Sequence, residues 1–179
     1  MKLLRILLAT LLVVLALTLA YGLSPIRPVR ELFTYTTIDA PRQQVWQVLT
    51  NFSAYSQWNP FYTEIDGRCI QGAGLKVKMQ MEERTLTYKP TIQSVTPQGE
   101  LVWSEQLVFP GLFDGQHRFV LESTDSGQTR FVQHDTYSGA LVPLLMNVYS
   151  AQAENGFRRM NDALKKRSEQ EFAGNAQLQ

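Results

Sequence analysis

The longest apolar run of the chain lies at its beginning. Residues 6–23 contain no charged side chain and consist mostly of Leu, Val and Ala. A helix of this length would be about 27 Å long, which nearly matches the roughly 30 Å hydrocarbon core of a bilayer. Lys2 and Arg5 precede the run and favour a cytoplasmic N-terminus, whereas Arg27 and Arg30 beyond it weaken that preference. The pattern therefore predicts a transmembrane signal anchor.

A cleavable signal peptide is the main alternative to the anchor. Its apolar region would normally be about 7–15 residues long and would end at small residues, and Thr18-Leu19-Ala20 is a passable cleavage site. A buried core helix is a third alternative. The first two place the rest of the protein outside the cytoplasm, either held at the membrane by residues 6–23 or secreted or periplasmic after cleavage.

The whole chain divides into an anchor at residues 1–23, a spacer, one domain and a tail. Two prolines three residues apart block both a helix and a central strand, so residues 24–31 are predicted to form an extended linker. The remaining length fits one domain of ordinary size, which we place at residues 32–169. The polar residues 170–179 are predicted to form a disordered tail.

The domain begins with a strand and a helical region. Aromatic and β-branched residues at 32–38 predict the strand. Asp39 then offers a capping oxygen and Pro41 a first helical turn, after which residues 45–49 place four apolar side chains on one side of a helix. The apolar pattern continues through a second short helix, which Asn59-Pro60 ends.

Alternation of apolar and polar residues then predicts a series of strands. The period of two, with one buried face, is clearest at residues 75–82. Links as short as Ser126-Gly127 require neighbouring strands to be antiparallel. The predicted strands cover residues 75–82, 88–95 (with Pro90 at an edge or bulge), 101–107, 117–122 and 131–137.

A long amphipathic helix closes the domain, from about residue 144 to residue 168. Together with a six- or seven-stranded antiparallel sheet it predicts an α+β fold in which the curved sheet wraps around the helix. A strongly curved sheet leaves an apolar cavity beside the helix. The apolar stripe of the helix consists of Met146, Tyr149, Ala153, Phe157, Met160 and Leu164.

Composition and charge narrow the classes of partner. Apolar residues make up 44% of the 179 residues and charged residues 18%, which is typical of a folded domain. After the first thirty residues the chain carries 13 basic and 16 acidic side chains, too few cations for a face that binds nucleic acid. A single cysteine, Cys69, excludes internal disulfides, and with only two histidines we predict no metal and no cofactor.

Two polar residues on the predicted inner faces are candidates for chemistry. His117 shares its face with Phe119, and Asp135 lies on a later strand between Gln133 and Tyr137. A buried carboxylate without a partner is unfavourable by several kcal/mol, so we expect His117 and Asp135 to pair. The pair would be structural, would orient a ligand or would transfer protons. The first two interpretations are favoured because no other catalytic motif accompanies the pair.

The predicted cavity wall combines this pair with side chains of the core. Asn59 would contact a ligand at the cavity mouth through its amide, and the apolar residues become wall residues where the helix leaves the sheet uncovered. The complete predicted ligand-binding set is Trp58, Asn59, Met79, Trp103, His117, Phe119, Phe131, Asp135, Tyr137 and Phe157.

Short motifs follow one another in a characteristic order between residues 33 and 167. They are Asp39-Ala40-Pro41, Val45-Trp46, Trp58-Asn59-Pro60, Gly111-Leu112-Phe113, Thr129-Arg130-Phe131, Tyr137-Ser138-Gly139 and Met160-Asn161. Together they resemble the SRPBCC superfamily, of the START-like, polyketide cyclase/dehydrase type. The resemblance implies a helix-grip fold with a deep cavity for a hydrophobic small molecule. It does not imply one reaction, since the superfamily includes lipid carriers, cyclases, dehydratases and chaperone activators.

One departure from this resemblance bears on chemistry. Close relatives often place a His and a Glu in the last strand, where this chain has Gln133 and Asp135, and Gln133 cannot transfer protons near neutral pH. We therefore expect the protein to bind or carry a hydrophobic small molecule, such as a lipid, an isoprenoid or a polyketide-like compound. The alternatives are a cyclase- or dehydratase-type enzyme that uses His117 and Asp135, and an interaction module without ligand that resembles chaperone activators.

Overall fold

Residues 2–176 are described by the computed structural model of the chain. Its helices are α1 (Lys2–Gly22), α2 (Arg42–Thr50), α3 (Tyr55–Trp58, preceded by a 3-10 turn at Phe52–Ala54) and α4 (Val142–Ala176). Its strands are β1 (Val29–Ile38), β2 (Tyr62–Asp66), β3 (Lys76–Met81), β4 (Arg84–Tyr88), β5 (Thr91–Thr96), β6 (Glu100–Gln106), β7 (Asp114–Ser123) and β8 (Thr129–Ser138).

The strands form two antiparallel sheets. The larger sheet has the order β1-β8-β7-β6-β5, and the smaller one has the order β2-β3-β4. A single bridge between Gly74 and Thr91 links them within the described residues. Helix α4 packs along β1 and against α2. The predicted α+β arrangement of antiparallel strands and a long C-terminal helix is therefore confirmed.

The strands number eight within residues 2–176, which exceeds the predicted six or seven. Residues 88–95 form two strands instead of one. Pro90 has no N–H to donate to a ladder, so β4 ends before it and β5, which belongs to the other sheet, begins after it. Strand β2 was not predicted, because its five residues bury their side chains in no regular alternation.

The ends of two elements also differ from the prediction. Helix α4 runs from Val142 to Ala176, so residues 170–176 of the predicted disordered tail are helical, and the last three residues of that tail lie outside the described residues. Strand β1 takes in residues 29–31 of the predicted linker. On α4 the predicted apolar stripe is buried except at Tyr149, which lies near the cavity described below.

The predicted capping role of Asp39 is wrong. Pro41 occupies the N-cap of α2, and among the described residues no side chain bonds to the cap. The Asp39 carboxylate instead accepts a hydrogen bond from Gln128 Nε2, and the Asp39 N–H donates to Glu169 Oε1 at 2.8 Å. Asp39 therefore links the start of α2 to the β7–β8 turn and to α4. These two hydrogen bonds engage Asp39 and compete with a capping role for it.

Helix α1 lies outside the domain. Its side chains are exposed, apart from the partly exposed Thr18 and Leu19, and only its last residue, Gly22, is buried. The helix is long and apolar enough to cross a membrane, a test that a signal sequence near an N-terminus also passes. An anchor and a signal sequence both agree with this finding.

Candidate functional site

A cavity of about 580 Å³ opens between the two sheets and the first half of α4. It forms because the side chains on the inner faces of β3, β4 and β6 are not covered by the first turns of the helix. Its apolar wall consists of Phe61, Met79, Met81, Leu86, Trp103, Leu107, Phe113, Leu145, Met146, Tyr149, Ala153 and Phe157.

His117 and Asp135 meet on one wall of this cavity. They stand opposite each other on the paired strands β7 and β8, which brings His117 Nδ1 within 2.5 Å of Asp135 Oδ1. Both side chains are almost completely buried. The imidazole stacks on Phe119, with ring centroids 4.0 Å apart, and meets Phe157 edge-on at 5.0 Å. The pairing that the sequence predicted is thus present and held by aromatic packing.

Two tyrosines extend the pair into a polar cluster. Tyr137 Oη donates a hydrogen bond to Asp135 Oδ2 at 2.6 Å, and Tyr62 Oη lies 3.1 Å from His117 Nδ1. Burial raises the pKa of both phenols well above that of a free tyrosine, so they keep their protons. Among the described residues, His117 Nε2 has no hydrogen-bond partner, whereas Asp135 Oδ1 lies against the imidazole. Buried polar atoms without partners at a cavity wall are available to a polar group of a ligand.

Glu105 adds a carboxyl group that is not among the residues predicted from the sequence. It projects from β6 into the cavity opposite Gly115 of β7. A Cβ atom at Gly115 would lie 2.6 Å from Glu105 Oε1, so the facing glycine leaves room for the carboxyl group in this position. Its Oε2 is buried and has no hydrogen-bond partner among residues 2–176.

The surroundings of Glu105 favour its neutral form. Burial, with the nearby Asp135 carboxylate as a second cause, raises the pKa of Glu105 to about 8. At pH 7 the group is therefore mostly a carboxylic acid that can donate a hydrogen bond. A carboxyl group with this pKa, beside His117 and Asp135, is typical of a functional site.

The raised pKa of Glu105 predicts a pH-dependent stability. The unfolded chain ionises this group near 4.5 and the folded chain near 8, so folding takes up a proton between these values and stability falls as the pH rises through them. A tenfold difference in proton affinity between the folded and unfolded chains corresponds to about 1.4 kcal/mol of folding free energy. Glu105→Gln should remove this loss, so the variant should gain stability relative to the parent from about pH 4.5 to about pH 8.

Urea unfolding of both proteins across this pH range measures the effect. Glu83→Gln, which removes an exposed carboxylate, is the control for the loss of one negative charge. Identical pH profiles for the parent and Glu105→Gln would contradict a raised pKa.

The predicted ligand-binding residues separate into two groups. Met79, Trp103, His117, Asp135, Tyr137 and Phe157 line the cavity.

The other four predicted residues are not part of the cavity wall. Phe119 and Phe131 are fully buried and stack in parallel at 6.1 Å, deeper in the core. Trp58 packs on Tyr55. Asn59 Oδ1 accepts hydrogen bonds from the N–H groups of Phe61 and Tyr62, both at 2.9 Å, so it shapes the start of β2 instead of the mouth.

Three further cavity residues were not predicted, and they differ in how far the sequence indicates them. Glu105 has the same parity in β6 as Trp103, so its inward direction could have been inferred. Tyr62 lies on the unpredicted strand β2. Tyr88, which also lines the cavity, ends β4, whereas the sequence pattern joins it to residues 89–95 in one strand.

A curved antiparallel framework that holds a long helix beside an apolar cavity defines a helix-grip protein of the ligand-binding or cyclase type. The chain belongs to the family described as polyketide cyclase / dehydrase and lipid transport, whose model matches residues 31–169. This places it among SRPBCC domains, as the sequence motifs predicted. None of the curated proteins matches the chain.

Solved structures share the fold at low sequence identity. An aromatase/cyclase, ZhuI from Streptomyces sp. R1128, is 15% identical with a TM-score of 0.66, covering 79% of this chain and 94% of that one. A norcoclaurine synthase mutant from Thalictrum flavum, in complex with a transition-state analogue, is 12% identical with a TM-score of 0.62, covering 81% and 97%. A START superfamily protein from Mycobacterium smegmatis is 16% identical with a TM-score of 0.62, covering 78% and 97%.

Proposed function

We propose that the protein binds and carries a hydrophobic small molecule in the cavity between its sheets and α4. The observation that carries this proposal is the cavity itself, about 580 Å³ of mostly apolar wall with polar groups gathered at one side. Ligand sites in proteins commonly occupy about 300–1,000 Å³ and combine apolar walls with a few fixed polar groups. A lipid, an isoprenoid or a polyketide-like compound has the matching apolar body.

The polar wall supports a ligand that carries an oxygen atom. Protonated Glu105 and Tyr62 are hydrogen-bond donors, and a carbonyl or hydroxyl oxygen is the group that accepts from such donors. Leaving the buried Glu105 Oε2 unpaired is unfavourable by about 1–3 kcal/mol, so a ligand oxygen that pairs with it gains affinity over a pure hydrocarbon. The remaining affinity comes from apolar burial, at about 25 cal/mol per Å² before the loss of ligand freedom.

A proton-transfer enzyme is the second candidate function. It is favoured by one observation, the carboxyl group of Glu105 with a pKa of about 8 on the same cavity wall as the His117–Asp135 pair. Two titratable groups with different environments can serve as acid and base. Turnover with a bell-shaped pH profile would support this candidate, and loss of turnover with retained binding in Glu105→Gln would assign the acid.

We also propose that α1 is retained as a membrane anchor with the domain outside the cytoplasm. Lys2 and Arg5 before the apolar run support this orientation through the positive-inside rule.

Native mass spectrometry of the full chain, released from detergent micelles after purification from its own host, tests the carrier function. We expect one hydrophobic molecule per chain, which solvent extraction then identifies. Lipids around α1 would instead appear in variable numbers. A protein that is empty and also takes up no hydrophobic fluorescent probe would overturn the proposal and favour an interaction module without ligand.

A further inference from the structure

The end of α1 is seated on the rim of the cavity. Gly22 is buried against the carbonyl group of Gly111, where a Cβ atom on Gly22 would overlap the carbonyl oxygen. Gly111 has a φ of +83°, and a Cβ atom there would lie 2.9 Å from the Leu23 side chain. Gly111 belongs to the loop at residues 107–113, between β6 and β7, whose first and last residues line the cavity. The candidate membrane helix and the cavity mouth therefore share one contact.

The rim around this contact is apolar and exposed. We define the rim as residues 107–113 together with residues 142–149 of α4, and neither segment contains a charged residue. Val108 is 82% exposed, Leu144 65% and Val148 59%. Their neighbours on the same segments, including Leu145 and Tyr149, face the cavity. A helix segment that is apolar both on its cavity side and on its outer side is expected where a partner or a membrane covers the outer side as well.

Val108 has a strained backbone that holds it outward. Its φ is +67°, a left-handed conformation in which a β-branched residue is a genuine outlier. Strain of this kind persists where the surroundings impose it and concentrates at functional positions. Here the result is a large apolar side chain directed into the solvent at the cavity mouth.

We propose that the rim lies in the surface of the lipid bilayer that α1 crosses, so that the cavity exchanges its ligand directly with the membrane. A spanning helix ends at the membrane–water interface, so a segment that contacts its last residue also lies at that interface. The rim contains the segment that makes this contact. Arg27 and Arg30, which follow α1 and are exposed, are suited to pair with the phosphate groups of lipids at that interface. The inference rests on the proposed function for the ligand and on a retained α1 for the docking.

Depth measurements on the full chain in a nanodisc of phosphatidylcholine and phosphatidylglycerol test the docking. Cys69→Ser removes the one native thiol, after which single cysteines at Val108, Val148 and Asp125 carry a nitroxide label. Asp125 is the control, because it is exposed in the β7–β8 turn, about 30 Å along the strands from the rim.

We expect the labels at Val108 and Val148 to collide more with oxygen than with a water-soluble nickel chelate, and the label at Asp125 to show the reverse. Equal nickel accessibility at all three positions would overturn the inference. Spin–spin broadening at the rim that disappears on dilution with unlabelled protein would also overturn it, since a second copy would then cover the face.

Ligand transfer gives a second readout. The double variant Val108→Asp, Val148→Asp should slow the transfer of a fluorescent hydrophobic probe from vesicles by at least tenfold and leave its equilibrium affinity unchanged. Asp tolerates the left-handed conformation at position 108 better than Val, so the fold is retained. Unchanged transfer rates would overturn direct exchange, whereas a parent protein that binds no probe would overturn the carrier function and leave the depth result standing.

Discussion

Replacing His117 by alanine is expected to destabilise the protein by about 3–5 kcal/mol, because buried Asp135 loses a polar partner and the space of the imidazole becomes a cavity. The Asp135 carboxylate would lose the imidazole 2.5 Å away and keep one hydrogen bond, from Tyr137. The nearby Glu105 offers no positive charge in compensation. The imidazole also fills space among Phe119, Phe157 and Trp103, so its removal leaves a cavity in addition.

The second histidine of the chain provides a matched control for this substitution. His134 lies on the same strand as Asp135 but is partly exposed, and its Nε2 is 3.6 Å from the exposed Glu31 carboxylate. A surface pair of this kind contributes about 0–1 kcal/mol, so His134→Ala should change stability little. Guanidinium unfolding of both variants in detergent measures the difference. Equal effects of the two substitutions would contradict a buried, paired His117.

Replacing Ala153 by phenylalanine is expected to weaken ligand binding by at least about tenfold, or about 1.4 kcal/mol. Ala153 faces the cavity from α4, at the level of Phe61 and Phe157. A phenyl ring there would occupy volume that the ligand needs, while phenylalanine remains compatible with a helix. The cavity would therefore be blocked without a change of its polar wall.

Ala151→Phe is the matched control, because Ala151 lies two residues away on the exposed side of α4. Titration with a hydrophobic fluorescent probe gives the affinity of each variant. Binding that survives Ala153→Phe and fails in Ala151→Phe, or is the same in both, would show that the ligand does not occupy this cavity. Far-ultraviolet circular dichroism confirms that both variants are folded.

The sequence predicted those parts of the fold that depend on local periodicity. Residues 117–122 alternate clearly and lie within β7 with the predicted face inward, and residues 131–137 lie within β8 with Phe131, Gln133 and Asp135 buried as predicted. The stripe on α4 repeats with the period of a helix and is mostly buried. The sheet to which each strand belongs was not predictable in this way. Strands of both sheets alternate alike, and the pairing partner of a strand is distant in the chain.

The candidate site was likewise predictable only where it depends on the alternation of residues along a strand. Shared strand parity placed His117 and Asp135 on one face, and their contact follows from the register of β7 and β8. The raised pKa of Glu105 depends on its burial and on the nearby Asp135 carboxylate. Neither the burial of Glu105 nor its proximity to a charge has a signature in the surrounding sequence, because both are properties of the assembled sheet.

Local sequence patterns predicted the apolar N-terminal helix, the order of most strands and helices, and the inward sides of β7 and α4, because these depend on residues close together in the chain. Only the tertiary structure decided where α4 leaves the sheets uncovered, and hence that Phe119 and Phe131 are core whereas Trp103 and Phe157 are cavity wall. The contact of Gly22 with Gly111 also depends on the tertiary structure and was not predictable from the sequence. Such placements depend on the curvature of the sheets and the path of a helix across them, which many distant contacts decide together.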